Sequence, residues 1–283
     1  MKTTIGLKIE NVKTIFQLAK ENARRLEDLN ELIICLDQTQ KEFISVAYEG
    51  AAMEIALQDF ASGNSTKRLP EFLKRAKKHT TQIYIGLGWA IAQEKNPSLI
   101  STEKIDPRML FRIWNGCGYF DGIFKQRQTI KGQNRLAYID QNNYRAYDEG
   151  MGRSLWYLAK GDNEKIKEMV KLFSEERHSD LWRGIGIACS YVGGFNESTL
   201  VSLKISAGKH AMQLCIGNAM VAESRIQAES PTIDMEIACD FFCNLKTEEL
   251  ISITETIDTA KEENFNQWIN KMENEILKHN KSL

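Results

Sequence analysis

The chain has 283 residues, 42% of them hydrophobic, with 37 basic and 38 acidic residues and a net charge of −1. That is the composition of a soluble globular protein, and the near-zero charge disfavours a nucleic-acid partner. The longest apolar run, Ile83 to Ala92, is half of the roughly 20 residues a membrane-spanning helix needs. No transmembrane segment is expected.

In chain order, residues 8 to 37 read as a charged amphipathic segment with Ile15, Leu18, Leu26, Leu29 and Leu32 at helical spacing, within an N-terminal helical segment 1–42. The start at Met1 has no apolar stretch followed by a small-residue cleavage site, so no secretory signal is expected and the protein is expected to be cytoplasmic. Phe43 to Phe60 is a helix apolar on nearly every side, ended by Gly63-Asn64-Ser65. Pro70 to Lys78 is amphipathic, and His79 opens an apolar helix carrying Gly86 and Gly88. Asp106-Pro107 predicts an N-cap followed by proline in the first turn, starting a helix that runs through Phe124. Lys125 to Asn143 is the longest expected loop. Helices then follow from Tyr144, Asn163, Leu181 and Asn196, with Asn64, Asn163 and Asn196 placed as caps before successive hairpins. No stretch alternates with the period of a strand, so the fold class is all-α.

One pattern organises these helices. A glycine-containing apolar block recurs with first glycines at 50, 86, 116, 150, 184 and 217, steps of 30 to 36 residues. Its clearest copies are Ile83-Tyr-Ile-Gly86-Leu-Gly88-Trp-Ala90 and Leu181-Trp-Arg-Gly184-Ile-Gly186-Ile-Ala188. A period in this range predicts stacked helical hairpins, a TPR-like repeat array over 43–245 closed by a polar C-terminal capping helix within 246–283. A mid-helix glycine costs about 0.5–1 kcal/mol relative to alanine. The return is close approach, either of helix to helix or of helix backbone to a ligand in a narrow apolar tunnel.

The candidate chemistry sits beside these glycines. Glu49 lies on an apolar helix face with no basic residue three or four positions away. It is a candidate general acid or base, or alternatively a buried carboxylate paired with a distant arginine. Asp121 and Glu149 have Lys125 and Arg153 at i+4, the order that suits a surface ion pair. Arg183 interrupts an apolar helix and needs an anion if buried, with Glu49, Asp148, Glu149 or a ligand head group able to supply it. His79, His178 and His210 precede the glycine blocks at near-constant distance, which makes a row of solvated first-turn residues and no convergent metal cluster. Cys239 and Cys243 are four apart without a second pair, so no metal site is expected. No phosphate loop, dinucleotide fingerprint or serine-nucleophile elbow is present, and no cofactor is assigned. The six cysteines lie mostly in apolar stretches and read as reduced, buried small hydrophobes.

The blocks Ala47-Tyr-Glu-Gly-Ala-Ala-Met53, Glu149-Gly-Met-Gly-Arg-Ser-Leu-Trp156 and Leu181-Trp-Arg-Gly-Ile-Gly-Ile-Ala-Cys189 together resemble the UnbL-type proteins of enediyne biosynthetic gene clusters. The similarity covers about Phe43 to Leu245. It implies a secondary-metabolism setting around a linear polyene and carries no catalytic assignment. Two readings follow. In the first, helices wrap a hydrophobic small-molecule substrate, a polyene or isoprenoid, in a cavity walled by Trp89, Trp114, Tyr119, Trp156 and Trp182. Glu49, Asp121 and Glu149 would then supply acid–base groups for a cyclising or isomerising step, and Arg153 and Arg183 would anchor an acidic head group. In the second, the array is a non-catalytic scaffold that docks partner biosynthetic enzymes.

Overall fold

The computed structural model describes residues 3–63, 67–101, 105–258 and 265–279. Within them the protein is all-α, with fourteen α-helices and no strand. The helices are α1 (Thr4–Arg25), α2 (Leu29–Asp37), α3 (Ile44–Ala61), α4 (Arg68–Arg75), α5 (Thr80–Glu94), α6 (Pro107–Phe124) and α7 (Tyr144–Ala159). They continue with α8 (Asn163–Lys171), α9 (Glu175–Val192), α10 (Glu197–Ala207), α11 (Ala211–Gln227), α12 (Ile233–Cys243), α13 (Thr247–Asp258) and α14 (Phe265–His279). No described helix is long and apolar enough to cross a membrane.

The glycine blocks fall on α3, α5, α6, α7, α9 and α11, and each of these packs on the next. The contacts repeat in kind. Gly86, Gly116, Gly150, Gly184 and Gly217 lie against the carbonyl oxygens of Glu49, Ile85, Asn115, Glu149 and Arg183, each the residue before the first glycine of the preceding helix. The second glycines reach the other way: Gly88, Gly118, Gly152 and Gly186 face the carbonyls of Ile113, Tyr147, Leu181 and Leu214. A Cβ at any of these positions would stand less than 3.0 Å from backbone that cannot move aside. Gly50 makes the same contact with the Phe16 carbonyl, which seats α1 as one more layer of the stack.

Regularity is confined to this inner layer. The short helices α4, α8 and α10 lie between successive glycine helices, but none separates α5 from α6. Between α6 and α7 stand only a π-helical turn at Arg127–Lys131 and a single 3-10 turn at Gln141–Asn143.

Several local expectations hold. Asp106 caps α6 by accepting from the Arg108 amide, with Pro107 in the first turn, and Asn196 caps α10 through the Thr199 amide. Others are corrected. The cap of α8 is Asp162, which accepts from the Lys165 amide, while Asn163 is already helical and donates to the Thr199 carbonyl. Asn64 and Ser65 lie outside the described residues. The buried stripe of α1 is Ile5, Ile9, Val12, Ala19 and Ala23, with Phe16 packed beside it. Leu18 is exposed, because a helix of this period turns it to the opposite side. His79 is not solvated: it is fully buried, its ring stacked on Tyr48 with centroids 3.7 Å apart. Burial lowers its pKa to about 4. Among the cysteines, Cys215 and Cys243 are joined as a disulfide across α11 and α12, so the expectation of six free thiols is corrected.

Gly150→Ala or Gly184→Ala should destabilise the protein by about 3 kcal/mol or more, the upper range of overpacking. In an unpacked helix the same change would stabilise by about 0.5–1 kcal/mol. Urea denaturation with Gly6→Ala as control checks this, since a Cβ on Gly6 meets only the Thr3 hydroxyl at 3.2 Å.

Candidate functional site

A cavity of about 720 Å³ opens between α1, α3, α5, α6, α7 and α9, a size that holds a drug-sized ligand. Its floor is buried and includes Glu49, Trp89, Tyr119, Arg153 and Tyr157. Its mouth is formed by the exposed residues Lys13 and Gln17 of α1, Gln93 of α5 and Phe124 of α6. The rings form one connected wall. Trp89 meets Phe16 at 4.8 Å, and Tyr119 and Phe120 pack edge-on against it at 4.8 and 5.6 Å. Tyr157 lies 5.3 Å from Tyr119.

Glu49 is the acid of this floor. Burial pushes its pKa up to about 6, opposed by the charge of Arg153 and by the Trp89 indole N–H. Neither opposing contact is tight. Arg153 Nη2 stands 3.7 Å from Glu49 Oε2, and the indole N–H makes no hydrogen bond of good geometry. Arg153 is held elsewhere: its Nη1 donates to Asn115 Oδ1 at 2.7 Å, and its guanidinium lies over the Tyr119 ring at 4.4 Å. Asn115 in turn donates to Glu149 Oε1 at 2.7 Å, and Glu149 Oε2 accepts from Arg183 Nε at 2.5 Å. Arg183 also bonds to Asp180 and to Gln213 Oε1, the latter at 2.7 Å. A buried polar line therefore runs from the cavity floor across α6 and α7 to α9.

Of the ten residues proposed from sequence, the structure brings Glu49, Trp89, Tyr119 and Arg153 into the cavity and leaves six elsewhere. Glu149 and Arg183 are paired with each other behind the floor, so Glu149 does not use Arg153 at i+4 and Arg183 offers no free charge to a head group. Asp121 is not at the surface either. It is fully buried, bonded to Lys125 at 2.7 Å, Tyr138 at 2.5 Å and Tyr147 at 2.9 Å, and burial raises its pKa against these donors. Trp114, Trp156 and Trp182 are buried in the core and do not line the cavity. The sequence reading gave α1 as an amphipathic helical segment but did not place it at the cavity, although Val12, Lys13, Phe16, Gln17 and Lys20 fall on one helical stripe. No described group of three or more His, Cys, Asp or Glu side chains is arranged to hold a metal ion.

Residues 2–276 match a family described as "Protein of unknown function (DUF1702)". The chain belongs to that family. No curated protein and no solved structure matches it. The match runs through α1 and into α14, so the helix that walls the cavity is part of the shared unit.

Two outcomes follow from the electrostatics. Because the folded pKa of Glu49 is raised, its favourable contribution is complete below about 4.5 and lost as pH rises through about 6. Glu49→Gln should match the wild type in stability near pH 4 and exceed it by about 2 kcal/mol at pH 7, read from denaturation curves across pH. Arg183→Leu leaves the buried Glu149 without a cation, Asp180 keeping Arg145 at 3.1 Å, and should cost about 3–5 kcal/mol, measured in the same way.

Proposed function

We propose that this protein binds an extended, apolar, conjugated molecule in the α1–α9 cavity and moves a proton to or from it through Glu49. The reaction class is an isomerisation or cyclisation of a polyene. The reading is carried by the convergence, on one buried aromatic floor, of a carboxyl whose pKa burial pushes up to about 6 with Arg153, Trp89 and Tyr119. A neutral Glu49 can donate its proton to a carbon of the conjugated chain, forming a C–H bond as a π bond is consumed. The positive charge is spread over the chain and faced by the Trp89 and Tyr119 rings. Loss of a proton from a neighbouring carbon back to Glu49 shifts the double bond, and attack by a second alkene first would close a ring. Arg153 stabilises the carboxylate between the two proton transfers. The resemblance of the Glu49, Glu149 and Arg183 blocks to proteins of enediyne clusters supports a polyene as substrate and a place in secondary metabolism.

We also read the glycine helices as successive copies of one unit, a TPR-like array whose outer helices are shortened or lost. That build allows the second reading, a docking scaffold, which is favoured by the exposed Ile205 of α10 and Ile233 and Ile237 of α12.

Native mass spectrometry and solvent extraction of the purified protein separate the two, since a co-purifying long-chain molecule is expected of the first alone. With a conjugated substrate in hand, Glu49→Gln should retain binding and lose about 10²–10⁴-fold in turnover. The wild-type rate should inflect near pH 6. Unchanged turnover in Glu49→Gln removes the proton-transfer role.

A further inference from the structure

The charged groups lining the cavity are Lys13, Lys20, Glu49 and Arg153. The last two are both on the floor and offset each other. The two lysines are not offset. They stand two turns apart on the cavity side of α1, Lys13 exposed and Lys20 half-buried. Among the described residues neither is paired with a carboxylate. Glu54 acts on Lys20 from a distance, but both Glu54 oxygens are taken by Arg24, at 2.9 and 3.0 Å. The site therefore carries, on its α1 side, two lysines without an ion-pair partner among the described residues, in a chain whose net charge is −1.

The polarity of the walls orders the rest. From the rim inward the lining passes from Lys13, Gln17 and Gln93 to Phe16, Trp89 and Tyr119. An anion on the floor would stand beside Glu49 as well as Arg153. An anion at the rim meets only cations and stays partly hydrated. Arg153 Nε, buried and without an acceptor, can be met by a neutral oxygen without adding a second negative charge there.

Resting on the binding reading above, we propose that the ligand is an anionic amphipath that enters tail first, its carboxylate or phosphate held by Lys13 and Lys20 at the mouth. Arg153 does not bind the head group. Recognition of the charge and handling of the chain are thus divided between α1 and the glycine helices.

The test uses the full chain, a conjugated tetraene fatty acid and its methyl ester, followed by energy transfer from tryptophan. The acid should bind about three- to tenfold more tightly than the ester, as two partly solvated charge contacts allow. That preference should shrink as salt is raised. Lys13→Gln/Lys20→Gln should remove the preference, read as the ratio of acid to ester affinity in the same protein. Competition by dodecanoate and by dodecyl phosphate then identifies which anion is favoured. Equal binding of acid and ester by the wild type overturns the proposal while leaving the cavity reading intact. So does an acid preference that survives the double substitution. Binding of neither probe overturns both.

Discussion

The structure depends on one contact, a helical glycine pressed against a carbonyl oxygen of the neighbouring helix. Each such glycine gives up about 0.5–1 kcal/mol of helix propensity, and what it gains is an approach between backbones that no side chain permits. The contact also fixes register. Each first glycine lies on the carbonyl of the residue preceding the first glycine one helix earlier, so the residues in that preceding position form a line across the stack. They are Glu49, Ile85, Asn115, Glu149 and Arg183. Where the line is polar its members meet: Asn115 bonds to Glu149, and Glu149 to Arg183. The polar line is a consequence of the packing, and it delivers Arg153 to the cavity floor through Asn115.

This explains how much was legible in advance. The all-α class and the helices carrying glycine could be read because periodicity and glycine spacing are properties of the chain itself. The convergence of Glu49 with Trp89 could be anticipated for the same reason, since both sit beside glycines that must touch neighbouring helices. Pairing was harder. Glu149 and Arg153 at i+4 look like a surface pair only while the helix is imagined in solvent. Once α7 lies between α6 and α9, each finds a partner on another helix, Glu149 on Arg183 and Arg153 on Asn115 and Glu49. The role of α1 was hidden differently. Its buried stripe and its charged, hydrophobic-looking flank are both helical patterns, and choosing between them needs the Gly50–Phe16 contact.

His79 shows the same limit from the other side. Its position before a glycine block suggested a solvated first turn, but the ring stacks on Tyr48, which also stacks on Phe72 and is anchored by donating to Asp37 at 2.8 Å. Nothing in the local sequence distinguishes this histidine from His178 or His210, which remain partly exposed. Equivalent positions in a stack are equivalent only in their backbone surroundings.

The three buried acids next to the glycines make that point chemically. Asp121 is met by an ammonium and two phenols, and Glu149 by an amide and a guanidinium, so both are closed within their own partners. Glu49 is buried too, yet its cation stands 3.7 Å away, with Asn115 and the Tyr119 ring also holding Arg153. An acid whose partner is shared remains poised between its protonated and ionised forms, whereas one with donors of its own is held in place by them. Of the three, only Glu49 also faces open volume. Incomplete pairing and access to a cavity occur at the same residue, and the proposed proton-transfer role of Glu49 rests on that coincidence.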